Sequence, residues 1–402
     1  MTALSCYSFP RRQPVALPTA FGESNIVTEV SAPASTRRIN WTNLIFLLGT
    51  FLAAVIAVPW YLAVYGFGWP EWLTFFGIWI AGGMSITGGY HRLWSHKTYE
   101  TVWPVKMFYL LFGAATFQNS VLEWAADHRL HHDHTDHEQD PYNIQKGFWW
   151  AHIGWVFFDT EEHIETIVRD LVSDPLIAWQ RRWYKTIAIS VAVGIPVLVG
   201  LLTGRLLGCL IVGTVLRIVV SHHGTFLINS ACHMLGRRPY NREVSARDSG
   251  VMAVLAFGEG YHNYHHSFPF DYRNGIRAWH VDPAKWLIWG LEKVGLAQGL
   301  RRASDLQILR AKAAVQHQGA RERVGRLVVS VQAEKERRIG EAHAKLDKAI
   351  ADLLRWERQK VRAAAEDLEH RAAAAREVFE HALADWRAAL RDLSRAEPVA
   401  SF

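Results

Sequence analysis

Over its first 300 residues the chain alternates long apolar stretches with short polar breaks, and after that it turns almost wholly polar and charged. From Asn43 to Tyr65 it is apolar and uncharged, enough to cross a bilayer core that needs roughly 20 helical residues. A second apolar stretch covers 72–90, joined to the first by Gly66-Phe-Gly-Trp-Pro70, a link without Lys or Arg. A second pair covers 183–203 and 206–220, with Arg181, Arg182 and Lys185 before it and only Arg205 in its turn. Because short loops rich in Lys and Arg stay cytoplasmic, the pattern predicts an all-α, multi-pass integral membrane protein of four transmembrane helices in two hairpins. Both termini, residues 91–182 and everything after 221 then share the cytoplasmic side. The stretch 104–117 is apolar but short, and predicts an interfacial or buried helix. Arg217, inside the fourth stretch, is expected to snorkel towards the interface.

The ends differ from this middle. Residues 1–40 contain Pro, Ser, Thr and four arginines but no signal-peptide apolar core, which predicts a loose cytoplasmic arm. The membrane domain is expected over 41–300. Beyond it, 303–397 holds no proline and, after Gly340, no glycine, with Ala, Arg, Glu and Leu dominant. Pairs such as Glu334/Arg338 and Glu341/Lys345, four apart, support a long helix or helical hairpin. Leu346, Ile350, Leu353 and Leu354 suggest a seam, although strict heptads do not persist, so a coiled coil that mediates oligomerisation and a solvated helix both fit. The Ala/Arg-rich tail favours a bacterial inner membrane over an endoplasmic reticulum.

Composition narrows the function. The net charge of +6 is modest and the tail's basic residues are interleaved with acidic ones, so no nucleic-acid partner is expected. Cys6, Cys209 and Cys232 are too scattered for a disulfide framework or a cysteine zinc site.

Histidine carries the chemistry. His91 and His96 follow the second apolar stretch; His128-Arg-Leu-His131-His132 and His262-Asn-Tyr-His265-His266 repeat one spacing; Asn229 and His233 stand four apart. On a helix, residues at i, i+3 and i+4 lie on one face, so each box is expected to converge as a claw. His91 and His96, about 140° apart around an α-helix, share a metal only if the helix ends there. Nine imidazoles suit two ions with four or five ligands each. Imidazole alone leaves Zn, Cu, Fe and Ni open, but zinc has no redox chemistry and favours four ligands, which points to iron. Such a site at a membrane face suits oxygen activation against an inert hydrocarbon. His134 and His137 fall outside the spacing, His222 and His223 are expected at the interface, and His317, His343, His370 and His381 as surface residues of the tail.

With these boxes in view, the sequence resembles the membrane-bound acyl-CoA desaturases of the stearoyl-CoA Δ9 type. The resemblance runs through Gly88-Gly-Tyr-His-Arg-Leu-Trp-Ser-His96, Phe117-Gln-Asn119, Glu123-Trp-Ala-Ala-Asp-His-Arg129 and Asp140-Pro141. It continues through Asn229-Ser-Ala-Cys-His233, Arg238-Pro-Tyr240 and Gly258-Glu-Gly-Tyr-His-Asn-Tyr-His-His266 to Phe268-Pro-Phe-Asp-Tyr272. It implies four transmembrane helices under a cytosolic helical cap that holds two ferrous ions, with the charged tail as an extension outside the family pattern. The implied ligands are His91, His96, His128, His131, His132, His233, His262, His265 and His266, with Asn229 joining through a water. The implied reaction inserts a cis double bond into a saturated acyl chain, on CoA and at Δ9, and consumes O₂ and two electrons. Gln118, Trp124, Thr225 and Phe226 are implied to line a bent tunnel. Phe226 stands where animal enzymes have Trp, and Tyr142 where they have His. The tail holds no His-Pro-Gly-Gly haem motif, so a separate donor, a ferredoxin or a cytochrome b5-like protein, is expected. The alternatives are an all-histidine di-iron hydroxylase of lipids or alkanes, and a non-catalytic membrane scaffold acting through the tail.

Overall fold

Nearly every apolar stretch becomes a helix. The computed structural model describes residues 38–159, 164–327, 329–360 and 366–396, so most of the expected N-terminal arm lies outside the described residues. Two strands of two residues each, Glu100–Thr101 and Ala297–Gln298, pair antiparallel and tie the segment after the first histidine pair to the segment just before the tail.

Among the described residues, three helices are long and apolar enough to cross a membrane: Trp41–Tyr65, Pro175–Thr203 and Leu206–Met234. The first starts where the Asn40 side chain accepts from Asn43 N–H at 2.9 Å. Ile45, Leu52 and Ile56 stand exposed along it, a surface that suits lipid and not water. The expected second span is a 16-residue α-helix, Trp69–Met84, running straight into an 11-residue π-helix, Ser85–Ser95. The expected span 206–220 is the start of a longer helix that carries on to Met234.

The two hairpin turns are stitched together. Glu71, fully buried, accepts from Tyr61 Oη–H and from Arg205 Nε–H, each at 2.7 Å, and Arg205 also donates to Gly66 O. Gly208 permits this approach, since a Cβ there would fall 2.2 Å from Glu71 Oε1. Arg217 does not snorkel. It is fully buried and donates at 2.7 Å to the carbonyl of Ala115, which caps the C-terminal end of the helix Trp103–Ala114. The reason is that the fourth helix continues well past Arg217, so the side chain faces a neighbouring helix end whose carbonyls lack partners.

The tail folds on itself. Ser304 and Gln307 form a capping box that starts Asp305–Val324, and Val329–Lys360 and Glu366–Arg395 follow. These helices share a core of their own, with Leu346, Ile350, Leu353, Leu383, Trp386 and Leu393 buried in it. The apolar seam read from the sequence is thus covered within the chain. His317 and His343 are half-buried where exposed surface residues were expected; their rings stack at 4.1 Å beside Trp386, because the returning helices bring them face to face. The first tail helix joins the segment that carries the third histidine box through Ile308, which packs with Tyr264 and Phe268.

Candidate metal centre

A wide helical turn builds the first part of the site. In the π-helix the His96 N–H reaches back five residues to the His91 carbonyl, at 3.1 Å. With more residues per turn than an α-helix, positions i and i+5 come onto one side. The helix also ends there as the spacing required, with His96 as its C-cap, so the wide turn and the helix end together let His91 and His96 face one centre. Gly89 lets the wide turn seat against Tyr109, whose Cβ lies 2.7 Å from where a Gly89 Cβ would be.

The other ligand candidates sit on Val121–His134, on Ala231–Met234 and on His262–Ser267. Ser120 and Glu123 fix the start of the first of these, with Ser120 Oγ and N–H both donating to Glu123. All nine histidines fall into two groups. His91, His96, His128, His132 and His265 form one, and His131, His233, His262 and His266 the other, with the donor atoms in each within 4.8 Å of one another.

The grouping corrects the picture of each box as one claw. His128 and His132 share a group while His131 joins the other; His262 and His266 share that second group while His265 joins the first. Helix geometry explains it. Residues i and i+4 differ by about 40° around the axis, whereas i+3 and i+4 diverge by about 100°. Each H-x-x-H-H box therefore holds one centre with its outer pair and hands its middle histidine to the other.

Distances and chemistry fit metal ions. Nε2 atoms approach at 2.8 Å for His96 and His128, 2.9 Å for His132 and His265, and 3.1 Å for His233 and His262. Nitrogens bound about 2.1 Å from one ion at right angles are about 3.0 Å apart. Burial and neighbouring imidazoles hold His128, His131, His265 and His266 well below the usual histidine range, with His132 near 3 and His233 near 4 through burial. Neutral imidazole is the form that ligates.

The far ring nitrogens are held by groups whose role the sequence did not reveal. His91 Nδ1 meets Glu259 Oε2 at 3.1 Å, and Glu259 also pairs with Arg92, which pairs with Asp282. Burial pushes the Glu259 carboxyl up, but His91 and Arg92 outweigh it and hold the group below its usual range. His131 Nδ1 meets Asp140 Oδ1 at 2.9 Å, and His233 Nδ1 meets Ser245 Oγ at 2.7 Å, with Asp136 behind Ser245. Such partners set the tautomer and aim the ring. The one advance signal was the place of Glu259 and Asp140 inside the quoted motifs. The ring of Tyr142 lies 4.4 Å from that of His131. His134 and His137 belong to neither group. His222 is buried, stacking on Phe226 and bonding Phe117 O, because the longer fourth helix turns it inward.

A cavity opens beside the histidines, and Gln118, Trp124, Thr225, Phe226 and Asn229 all line it. Gln118 Nε2 donates to Thr225 Oγ at 3.0 Å, and Trp124 stacks on His128 at 5.0 Å. Trp155 Nε1 and Gln118 Oε1 are buried in this wall without a protein partner. All five non-glycine residues of positive φ among the described residues adjoin the site: Phe117, Asn119 and Phe257 in the wall, Lys97 after His96, and Asp136 behind Ser245. Strain of this kind gathers where surrounding structure holds a functional geometry.

Residues 67–299, more than half of the chain, match the family model described as fatty acid desaturase. The chain belongs to the fatty acid desaturase family. Among relatives of this desaturase-family chain, acyl-CoA desaturase 1 of Saccharomyces cerevisiae is 34% identical over 277 residues, 67% of this chain and 53% of that protein. A probable acyl-CoA desaturase of Schizosaccharomyces pombe is 40% identical over 280 residues, 68% of this chain and 57% of that protein. The chain thus matches little more than half the length of these two yeast relatives. The sn-1 stearoyl-lipid 9-desaturase of Anabaena variabilis is 34% identical over 280 residues, 69% of this chain and 99% of that protein.

Proposed function

We propose that the protein is an O₂-dependent fatty acyl desaturase that inserts a cis double bond, at Δ9, with two irons and electrons from a separate carrier. The observation that carries this reading is the division of nine imidazoles, six buried and three half-buried, into sets of five and four beside an apolar cavity whose wall holds His91, His128, His131 and His262. The 9-position follows the Anabaena relative, whose name states it. The proposed arrangement keeps four membrane crossings, with Trp69–Ser95 as the second, and the histidines and tail on the cytoplasmic side. A bacterial inner membrane remains the favoured location.

His91, His96, His128, His132 and His265 would hold one ion; His131, His233, His262 and His266 would hold the other, with Asn229 beside them through a water. Bound there, iron supplies oxygen activation. The chain's own residues do the rest. Glu259, Asp140 and Ser245 keep the ligand rings aimed; Phe226, Trp124 and Phe117 keep water from the methylenes; the Gln118–Thr225 pair holds the wall at the proposed bend. Trp155 Nε1–H is placed to donate to a carbonyl of the substrate. In balance, a –CH₂–CH₂– pair, O₂, two electrons and two protons become –CH=CH– and two waters. The carrier differs among relatives by name, CoA in the yeasts and a lipid in Anabaena.

Expression of the full chain followed by mass spectrometry of total fatty acids tests this reading. Loss of two hydrogens at C9–C10 is expected, and a gained oxygen would identify a hydroxylase instead. Unchanged unsaturation after His262→Ala would leave only the scaffold alternative.

A further inference from the structure

The charge around the cavity bears on what presents the acyl chain. Among the described residues, no lysine or arginine lines the cavity. The segments 39–46, 117–127 and 147–159, which meet where the first membrane helix joins the cap, hold none either, and they carry Glu123, Asp127 and Asp159. Their junction is built by Asn40 N–H donating to Phe157 O at 2.8 Å and Asn43 Nδ2 donating to Val156 O at 3.1 Å. CoA brings several phosphate charges, which proteins meet with guanidinium forks, ammonium groups or long-helix N-termini. An acyl carrier protein, acidic as well, would meet the same carboxylates.

The surroundings suit a bilayer instead. Asn43 lines the cavity only three residues inside a helix whose Trp41, Ile45 and Leu48 are exposed, and Trp149 of the cap is 73% exposed. Of the nearby cations, Arg38, Arg181, Arg182 and Lys185 are exposed near the starts of long apolar helices, where lipid phosphates would meet them, and Lys146 pairs with Glu138 and lies over Trp150. They stand outside the cavity wall.

We infer that this cavity takes acyl chains directly from a bilayer glycerolipid, whose ester stays attached to its glycerol throughout. The inference rests on the desaturase reading. The esterified chain loses two hydrogens; O₂, two donor electrons and two protons leave as water; the ester bond is neither made nor broken.

The test uses the full chain, loaded with iron, in vesicles of phosphatidylcholine labelled with deuterium in both stearoyl and glycerol. O₂, NADPH, a [2Fe–2S] ferredoxin and its reductase supply the reaction. Intact-lipid mass spectrometry should show loss of two deuterons from the acyl chain in molecules that keep the glycerol label. Stearoyl-CoA is offered in parallel, in ether-lipid vesicles that hold no acyl ester. Desaturation confined to stearoyl-CoA overturns the inference and leaves the desaturase reading standing. Desaturation of neither pool overturns the desaturase reading itself.

A binding measurement on the metal-free protein adds an independent readout. Affinity for stearoyl-CoA should be flat with salt, and Asp159→Lys should raise it about fivefold, the scale of one exposed ion pair. A steep fall with salt in the unaltered chain would reveal an ionic grip on the nucleotide and overturn the inference.

Discussion

Replacing Glu259 by Gln separates the two histidine sets. Glu259 is 4% exposed; Oε2 faces His91 Nδ1 at 3.1 Å and Asn274 Nδ2 at 2.7 Å, and Oε1 faces Arg92 at 3.1 Å. Gln keeps the shape but removes the charge and turns an NH₂ towards at least one of three donors. Arg92 keeps Asp282 at 2.9 Å, so its buried charge is not stranded. The stability cost should stay below the 3–5 kcal/mol of a fully broken buried pair, at about 2 kcal/mol. His91 loses the carboxylate that sets its tautomer, which costs about 10–100-fold in metal affinity. That loss should fall on the five-histidine set, because His131 and His233 rely on Asp140 and Ser245. The assay is a chelator titration with iron per chain counted by elemental mass spectrometry, alongside a circular-dichroism melt. One ion should leave at about 10–100-fold lower chelator while the other holds its place. Asp140→Asn should mirror the effect on the four-histidine set. If Glu259→Gln released both ions together, or shifted neither, the assignment of one carboxylate to one centre would be refuted.

Three other outcomes follow from geometry. Gly89→Ala forces a methyl against Tyr109 and should cost about 1–3 kcal/mol, read as a lower melting temperature with weakened iron retention. Thr225→Val removes the acceptor of the Gln118 amide at about 1–2 kcal/mol, so kcat/KM should fall about 5–30-fold and the double-bond position should blur in product analysis. In the tail, burial holds His317 and His343 below the usual histidine range. The unfolded tail then binds protons more readily, so stability is full above about pH 6.5 and is lost as pH falls below it. Protection of the amides over 310–350, measured against their intrinsic exchange rates, should fall between pH 7 and 5.5, and His343→Gln should flatten that response.

The histidine spacing makes the chemistry legible in the chain itself, because a repeated H-x-x-H-H has few uses besides metal. The long apolar helices are legible from apolar length. The π-helix is not: its wide turn is selected by contacts such as Gly89 against Tyr109, which no hydrophobic period encodes. The roles of Glu259, Asp140 and Ser245 depend on where rings point, so a sequence can show these residues without showing their partners. Arg217 departs from its expected place because the end of an apolar run is not the end of a helix; Ile218 and Phe226 remain buried beyond it. The tail is half legible. Its helical propensity is plain, but the turns that fold it into its own core carry no strong punctuation.

The contact between His91 and His265 closes a loop of 174 residues. At translation rates of about 5–20 residues per second, roughly 9–35 seconds separate the two from the ribosome. Throughout that interval the membrane helices can insert while neither ligand set is complete. Loading of the two irons proposed above would therefore be among the last events in the protein's biogenesis. A shortage of iron should leave an inserted, apo chain awaiting capture, so supply of the metal can set how much enzyme becomes active after synthesis has ended.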